Sequence, residues 1–241
     1  MNREILIALA LKYHGEVSRM YKALKENENI EGINLNNAIT ILDEAYPRSL
    51  LELKDPPLVL FYKGNLSLLK EASVGVVGSR EACEYATKLT IDLVNELKKR
   101  YTIVSGMAKG IDSIAHRSSL SHKTIAVLGS GIEYIYPFSN KALYTKLAED
   151  HLIISEYPGF CKPLAYHFPI RNRIIAALSN KLFVMQSSTK SGTLITVNEA
   201  LNLNKEIYAL PFNIDIPEGQ GTNMLIEEGA NMILYENFCD Y

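Results

Sequence analysis

The periodicity of apolar and polar positions changes near residue 55. Before it, the spacing predicts helices at Glu4 to Tyr13, Glu16 to Glu26 and Asn36 to Glu44, separated by Gly15 and the polar stretch Asn27 to Asn34. Pro47 and Pro56-Pro57 close the region, so residues 1–55 read as a small helical N-terminal unit and residues 56–241 as the main domain. From Leu58 onward, short β-branched runs predict strands at Leu58 to Tyr62, Ser73 to Val77, Thr102 to Val104, Thr124 to Leu128, Leu152 to Ser155, Leu182 to Met185, Ile207 to Leu210 and Met232 to Tyr235. Between them the spacing predicts helices at Tyr85 to Lys99, Ser113 to Ser121, Asn140 to Glu149, Ile170 to Ser179, Leu194 to Leu203 and Asn223 to Glu228. This alternation predicts an α/β fold with a largely parallel sheet covered by helices. In such sheets ligands gather where strands end and helices begin.

Composition narrows the classes. A chain of 241 residues that is 47% hydrophobic can bury a substantial core. Cys83, Cys161 and Cys239 are odd in number and widely spaced, which suggests neither a disulfide framework nor a metal site and fits a cytoplasmic protein. No apolar run approaches the ~18 residues of a membrane span, and Lys12 ends the short run after Met1. The net charge of −2 argues against a broad basic face for duplex DNA, so a nucleic-acid site has to be local.

Four loops follow predicted strands: Gly78-Ser79-Arg80, Ser105 to Gly110, Gly129-Ser130-Gly131, and Ser187 to Thr193. Glycine lets a backbone approach a ligand, and free helix amides favour an anion there, which points to phosphate. Glycine also serves turn geometry alone, but Arg80, Lys109 and Lys190 add a cation to three of these loops. Gly129-x-Gly131 lacks the third glycine of a dinucleotide fingerprint and no P-loop pattern occurs, so no nucleotide cofactor is expected.

The segment Phe168-Pro169-Ile170-Arg171-Asn172-Arg173 sets an aromatic beside two guanidinium groups, a combination suited to a base and a phosphate. With Pro169 in the first helical position, the following Ile174 to Leu178 run predicts a buried helix whose polar first turn emerges at the sheet edge. Arg171 and Arg173 then point in different directions, one toward a ligand and the other bracing the loops. Asp112 and His116 are four apart and could form an acid–base pair, although an acid in a first helical turn is favoured by the dipole alone. No nucleophile elbow or metal-spaced cluster is present, so neither catalytic nor metal residues are assigned.

Taken in order, Gly78-Ser79-Arg80, Ser105 to Asp112 with His116, Thr124 to Gly131 with Tyr136-Pro137 and Asn140, Ser155-Glu156-Tyr157-Pro158, Phe168 to Arg173 and Ser191 to Thr196 resemble the DNA-processing protein A family, DprA or Smf. The resemblance runs from about Tyr46-Pro47 to Gly229-Ala230. It implies an extended Rossmann-like domain that binds single-stranded DNA without catalysis, protects the strand during natural transformation and helps load the RecA recombinase, typically as a homodimer. The winged-helix-like C-terminal domain of many members is expected to be missing. Carried onto this chain and joined with the fourth loop, the DNA-binding set is Gly78, Ser79, Arg80, Gly106, Lys109, Gly110, Phe168, Arg171, Asn172, Arg173, Lys190, Ser191, Gly192 and Thr193. Ala86, Ala165, Gln186 and Phe212 depart from the usual family pattern. The alternative is a nucleotide-processing enzyme of the phosphoribohydrolase type, which carries a Pro-Gly-Gly-x-Gly-Thr-x-x-Glu loop. Here Ser191-Gly192-Thr193 runs into Leu194-Ile195-Thr196, with no glutamate at the required place. An adaptor that mainly recruits a recombinase is a third reading.

Overall fold

The structure, a computed structural model, describes residues 2–241. The chain starts with helices α1 (Arg3–Lys12) and α2 (Val17–Lys25) and enters the sheet through β1 (Ala38–Thr40) and β2 (Val59–Gly64). Strands and helices then alternate: β3 (Ser73–Val77), α3 (Glu84–Leu97), β4 (Thr102–Ser105), α4 (Ile111–Ser119), β5 (Thr124–Leu128), α5 (Lys141–Asp150) and β6 (Leu152–Ser155). After α6 (His167–Leu178) come β7 (Lys181–Val184), α7 (Thr193–Asn202), β8 (Glu206–Ala209), α8 (Gln220–Glu227) and β9 (Asn231–Met232). Among the described residues these strands form one nine-stranded sheet in the order β1-β2-β6-β5-β4-β3-β7-β8-β9. Only the β1–β2 and β2–β6 pairings are antiparallel; all others are parallel.

Strand alternation divides the core between the two faces. Ile125, Val127, Leu182 and Val184 point to the face covered by α6 and α7. Ala126 and Leu128 point to the opposite face, where α1 and α5 pack, and Phe183 and Met185 to the part of it under α3 and α4. Helix α6 is buried along most of its length, and Ala176 and Ala177 let it lie close between the sheet and α7. Its burial has a functional result, because a helix clamped on several sides presents its first turn in a fixed direction. It begins at His167, two residues before Pro169, so the proline occupies the third position, where its missing N–H is still harmless. Tertiary contacts account for the earlier start: His167 is buried and stacks on Tyr157 at 3.9 Å.

The expected helix at Asn36 to Glu44 is a correction. Residues Ala38–Thr40 are strand β1, with Ile39 paired to Leu60. Asp43 accepts from the backbone N–H of Thr40 at 2.7 Å and from its hydroxyl at 3.0 Å, which ends the strand in a turn and competes with helix formation. The expected strand at Met232 to Tyr235 is shorter, with Tyr235 in a following 3-10 turn.

Helix α1 shares its core with the sheet: Leu6, Ile7 and Leu9 lie in one cluster with Phe61, Leu143 and Ile153. Leu9→Ala is therefore expected to cost about 2–5 kcal/mol. The loss should appear as a lower midpoint of a single cooperative transition by both circular dichroism and tyrosine fluorescence. Two transitions, of which only one moves, would show instead that α1 and α2 melt by themselves.

Candidate nucleic-acid interface

From β3 the chain builds outward through β4, β5 and β6, and α6 then carries it back to the other side of β3, where β7 pairs in parallel. The register aligns Gly75 with Val104 on one side and with Leu182 on the other. As a result the loops after β3, β4 and β7 open at the same sheet edge, with the first turn of α6 between them. This is the switch point at which open α/β sheets bind ligands.

Two of these loops are in direct contact. Ile111 donates its backbone N–H to Ser79 O at 3.1 Å, and a Cβ at Gly110 would collide with the backbone of Ser79 and Arg80. Gly110 has φ +69°, a conformation that a side chain disfavours in any case. The loop after β4 is also held from behind. The buried Arg171 guanidinium donates from Nη1 to Gly106 O at 2.6 Å and to Val127 O. A Cβ at Gly106 would meet that guanidinium at 2.6 Å, so glycine is required there for the close approach. Burial lowers the Arg171 pKa to about 10, which leaves the group charged at neutral pH.

Phe168 stands at the centre of the interface. The Arg80 guanidinium lies 5.2 Å from its ring centroid, that of Arg171 lies 5.9 Å away, and the Tyr136 ring is tilted against it at 5.7 Å. A cavity of about 770 Å³ opens on one side, lined by Gly78, Ser79, Arg80, Phe168, Arg171, Asn172, Ser191, Gly192 and Thr193. A second cavity of about 250 Å³ is lined by Arg80, Gly106, Lys109, Phe168 and Tyr136. Arg80, Phe168 and Tyr136 border both. Exposed cations beside an aromatic wall, next to the N-terminal turns of α4 and α7, form a surface whose chemistry suits phosphates and a stacked base.

Three residues of the expected set line neither cavity. Gly110 acts through its contact with Ser79 and Arg80. Lys190 is exposed on the loop before α7. Arg173 faces a separate cleft, where Nη2 donates to the buried Glu156 carboxylate at 2.6 Å. Burial pushes the Glu156 carboxyl up, and the Arg173 charge acts against it. Of the two arginines, Arg171 is the one that braces the loops.

Asp112 and His116 do not meet as an acid–base pair. Asp112 lines the larger cavity and accepts from the Ala108 N–H at 3.3 Å; its pKa is raised by burial and opposed by Arg171. His116 is fully buried, with Nδ1 2.7 Å from the Thr124 hydroxyl. Among the described residues no group of three or more His, Cys, Asp or Glu is placed to hold a metal. Tyr136 and Asp112 both border the cavities yet stood outside the expected set. The available signal was Tyr136-Pro137 within a motif and the position of Asp112 directly after a glycine loop.

A family model described as DNA recombination-mediator protein A matches residues 37–239. The chain belongs to this family, which acts in DNA recombination and processing. The DNA processing protein DprA of Streptococcus pneumoniae is 43% identical over 198 residues, 81% of this chain and 70% of that protein. That of Bacillus subtilis is 38% identical over 242 residues, 97% of this chain and 79% of the relative. The solved S. pneumoniae DprA structure matches with a TM-score of 0.82 at 34% identity, covering 95% of this chain and 92% of its own. DNA processing protein A of Helicobacter pylori, solved to describe its single-stranded-DNA binding mode, matches with a TM-score of 0.78 at 33% identity over 84% of this chain and 94% of its own. These neighbours are extended Rossmann-like DprA folds, as is this chain. The Gln186 side chain has a local role: Oε1 accepts from the Cys83 N–H at 2.9 Å and Nε2 donates to Glu81 O at 3.2 Å, fixing the segment just beyond Arg80.

The buried His116 gives a pH prediction. Burial depresses its pKa from the ordinary 6.5 to about 3, so the unfolded chain takes up a proton that the folded protein does not. The stabilisation is complete above the unfolded pKa and is lost as pH falls toward the folded one, at up to about 1.4 kcal/mol per pH unit. The raised carboxyls of Asp112 and Glu156 act in the opposite sense, so the comparison needed is wild type against His116→Asn. Urea denaturation at several pH values should show a shallower loss of stability on acidification in the variant. Parallel curves would contradict the buried neutral histidine.

Proposed function

We propose that this protein binds single-stranded DNA in the paired cavities around Phe168, protects the strand and helps load the RecA recombinase onto it during natural transformation. The observation that carries the reading is the Arg80–Phe168 contact at the convergence of three strand-end loops, where a base stacks on the ring while Arg80, Lys109 and the loop amides meet phosphates. The single-stranded-DNA binding described for the H. pylori relative supports it. The small number of local cations, on a chain with a net charge of −2, fits a single strand better than a duplex.

The protein acts as a binder, not an enzyme. Asp112 is committed to the Ala108 amide and His116 to the core, which leaves the cavity without a paired general acid and base. A homodimer is part of the proposal. In the C-terminal stretch Leu225 and Ile233 belong to the core, whereas Met232, Leu234 and Tyr235 are exposed and available to a second copy.

A titration with labelled oligothymidine across salt concentrations tests the reading. Binding should show a shallow slope, on the order of two to four phosphate contacts per protomer at ~0.7 each, with much weaker binding of duplex. Arg80→Ala and Lys109→Ala should each lose roughly 1.5 to 3 kcal/mol. Phe168→Ala should lose roughly 1 to 3 kcal/mol with little change in melting temperature. The oligonucleotide, and nucleoside monophosphates incubated alongside it with and without divalent metal, should be recovered unchanged. Equal affinity for duplex, unaffected binding in both cation variants, or turnover of a nucleoside monophosphate would each overturn the assignment.

A further inference from the structure

Asn140 occupies the N-cap position of α5, where an asparagine ordinarily accepts a hydrogen bond from an amide of the first helical turn. Here its side chain makes no such bond. It turns away from its own helix into the loop after β4, and Nδ2 donates to Met107 O at 2.9 Å and to Ala108 O at 3.3 Å. The residue is 4% exposed, and the bond to Met107 O is buried while that to Ala108 O is partly so. Two carbonyl acceptors also settle the orientation of the amide, since only the NH₂ end can donate to them.

The loop that receives these bonds is strained. Met107 has φ +60°, the left-handed region that non-glycine residues avoid, and its side chain is fully enclosed in the core. Every other hold on this turn comes from a different element. Arg171 binds Gly106 O, Asp112 accepts from Ala108 N, and Gly110 is seated on Ser79 and Arg80. Between the tied positions Ala108 and Gly110 lies Lys109, exposed on the smaller cavity, and among the described residues its backbone N–H and that of Gly110 donate to no protein acceptor. A strained turn persists only where its surroundings over-determine it, and here the reactive surface it presents is a lysine with two free amides.

We infer that Asn140 is a positioning residue for nucleic-acid binding: it gives up capping α5 to lock the Met107–Ala108 turn, and so presents Lys109 and the adjacent amides to one phosphate of the bound strand. This rests on the reading of the cavities as a single-stranded DNA site. Asn140 itself touches no ligand, and its effect passes entirely through the loop.

The test separates donor chemistry from volume. Asn140→Asp keeps the shape but replaces the NH₂ donors with an oxygen facing two carbonyls, and Asn140→Ala removes both. Each should bind oligothymidine about ten-fold more weakly, with a salt slope reduced by ~0.7, the equivalent of one phosphate contact. In a Lys109→Ala background, Asn140→Ala should add clearly less than its ten-fold loss in the wild type, because only the loop amides then remain to be misplaced. Hydrogen exchange of the peptide covering residues 106–110 should speed up in both Asn140 variants while that of β5 is unchanged. Wild-type affinity and slope in Asn140→Asp, or independent losses in the double variant, would overturn the inference. If Asn140→Ala does not fold, the isosteric aspartate variant carries the test. If wild-type protein fails to bind the oligonucleotide, the DNA reading fails instead, and exchange at 106–110 alone then decides whether Asn140 holds the turn.

Discussion

The buried guanidinium of Arg171 ties the interface together. Taking a charge out of water is costly unless its donors are satisfied, and here they meet the carbonyls of Gly106 and Val127 at the ends of β4 and β5. Nε donates to the neighbouring Asn172 side chain at 3.0 Å. Because the same guanidinium stands 5.9 Å from the Phe168 ring, one side chain sets the spacing between two strand ends and the aromatic wall. Loss of Arg171 would leave two carbonyls without their donor and a guanidinium-sized gap beside Gly106, at the wall of the larger cavity. The close approach also explains Gly106, which leaves room for the guanidinium.

Sheet topology turns this local tie into a site. Building outward from β3 and then returning through α6 brings loops distant in sequence, 78–80, 106–110 and 191–193, to one edge. Since α6 is packed between the sheet and α7, its first turn is held at a set position beside the strand ends. The electrostatics remain local as a consequence. Arg80 and Lys109 project from loops tied to the fold, and Arg173 is paired with Glu156 in a separate cleft. A chain with slight net negative charge can thus present a small cationic surface without a general affinity for duplex.

The fold was legible where side-chain chemistry and burial agreed. The β-branched runs Ser73–Val77 and Thr124–Leu128 are strands over the spans their composition predicts, since both are buried on two faces and read as continuous apolar segments. Asn36 to Glu44 misled because helical spacing there competes with edge pairing to β2 and with the Asp43 turn, neither of which has a periodic signal. Within the site, glycine loops and cations marked Arg80, Lys109 and Phe168, as short motifs carry their own local geometry. Arg173 and Arg171 could not be told apart in the sequence beyond pointing differently, because the partners that separate them, Glu156 and the Gly106 carbonyl, are brought near only by folding. Lys190 shows the reverse: a cation in the right loop whose side chain lines neither cavity. Asn140 was visible as a motif residue, but its task depends on not capping the helix it precedes.

The central claim is that a single strand lies against Phe168 and Tyr136 between the two cavities. Photocrosslinking with an oligothymidine carrying 5-iododeoxyuridine, followed by mass spectrometry of the adducts, addresses this most directly, because the halogenated base couples to aromatic rings stacked on it. Adducts on Phe168 or Tyr136 are predicted. Adducts confined to other aromatics, such as Tyr235 and Phe238 near the C-terminus, would contradict the account.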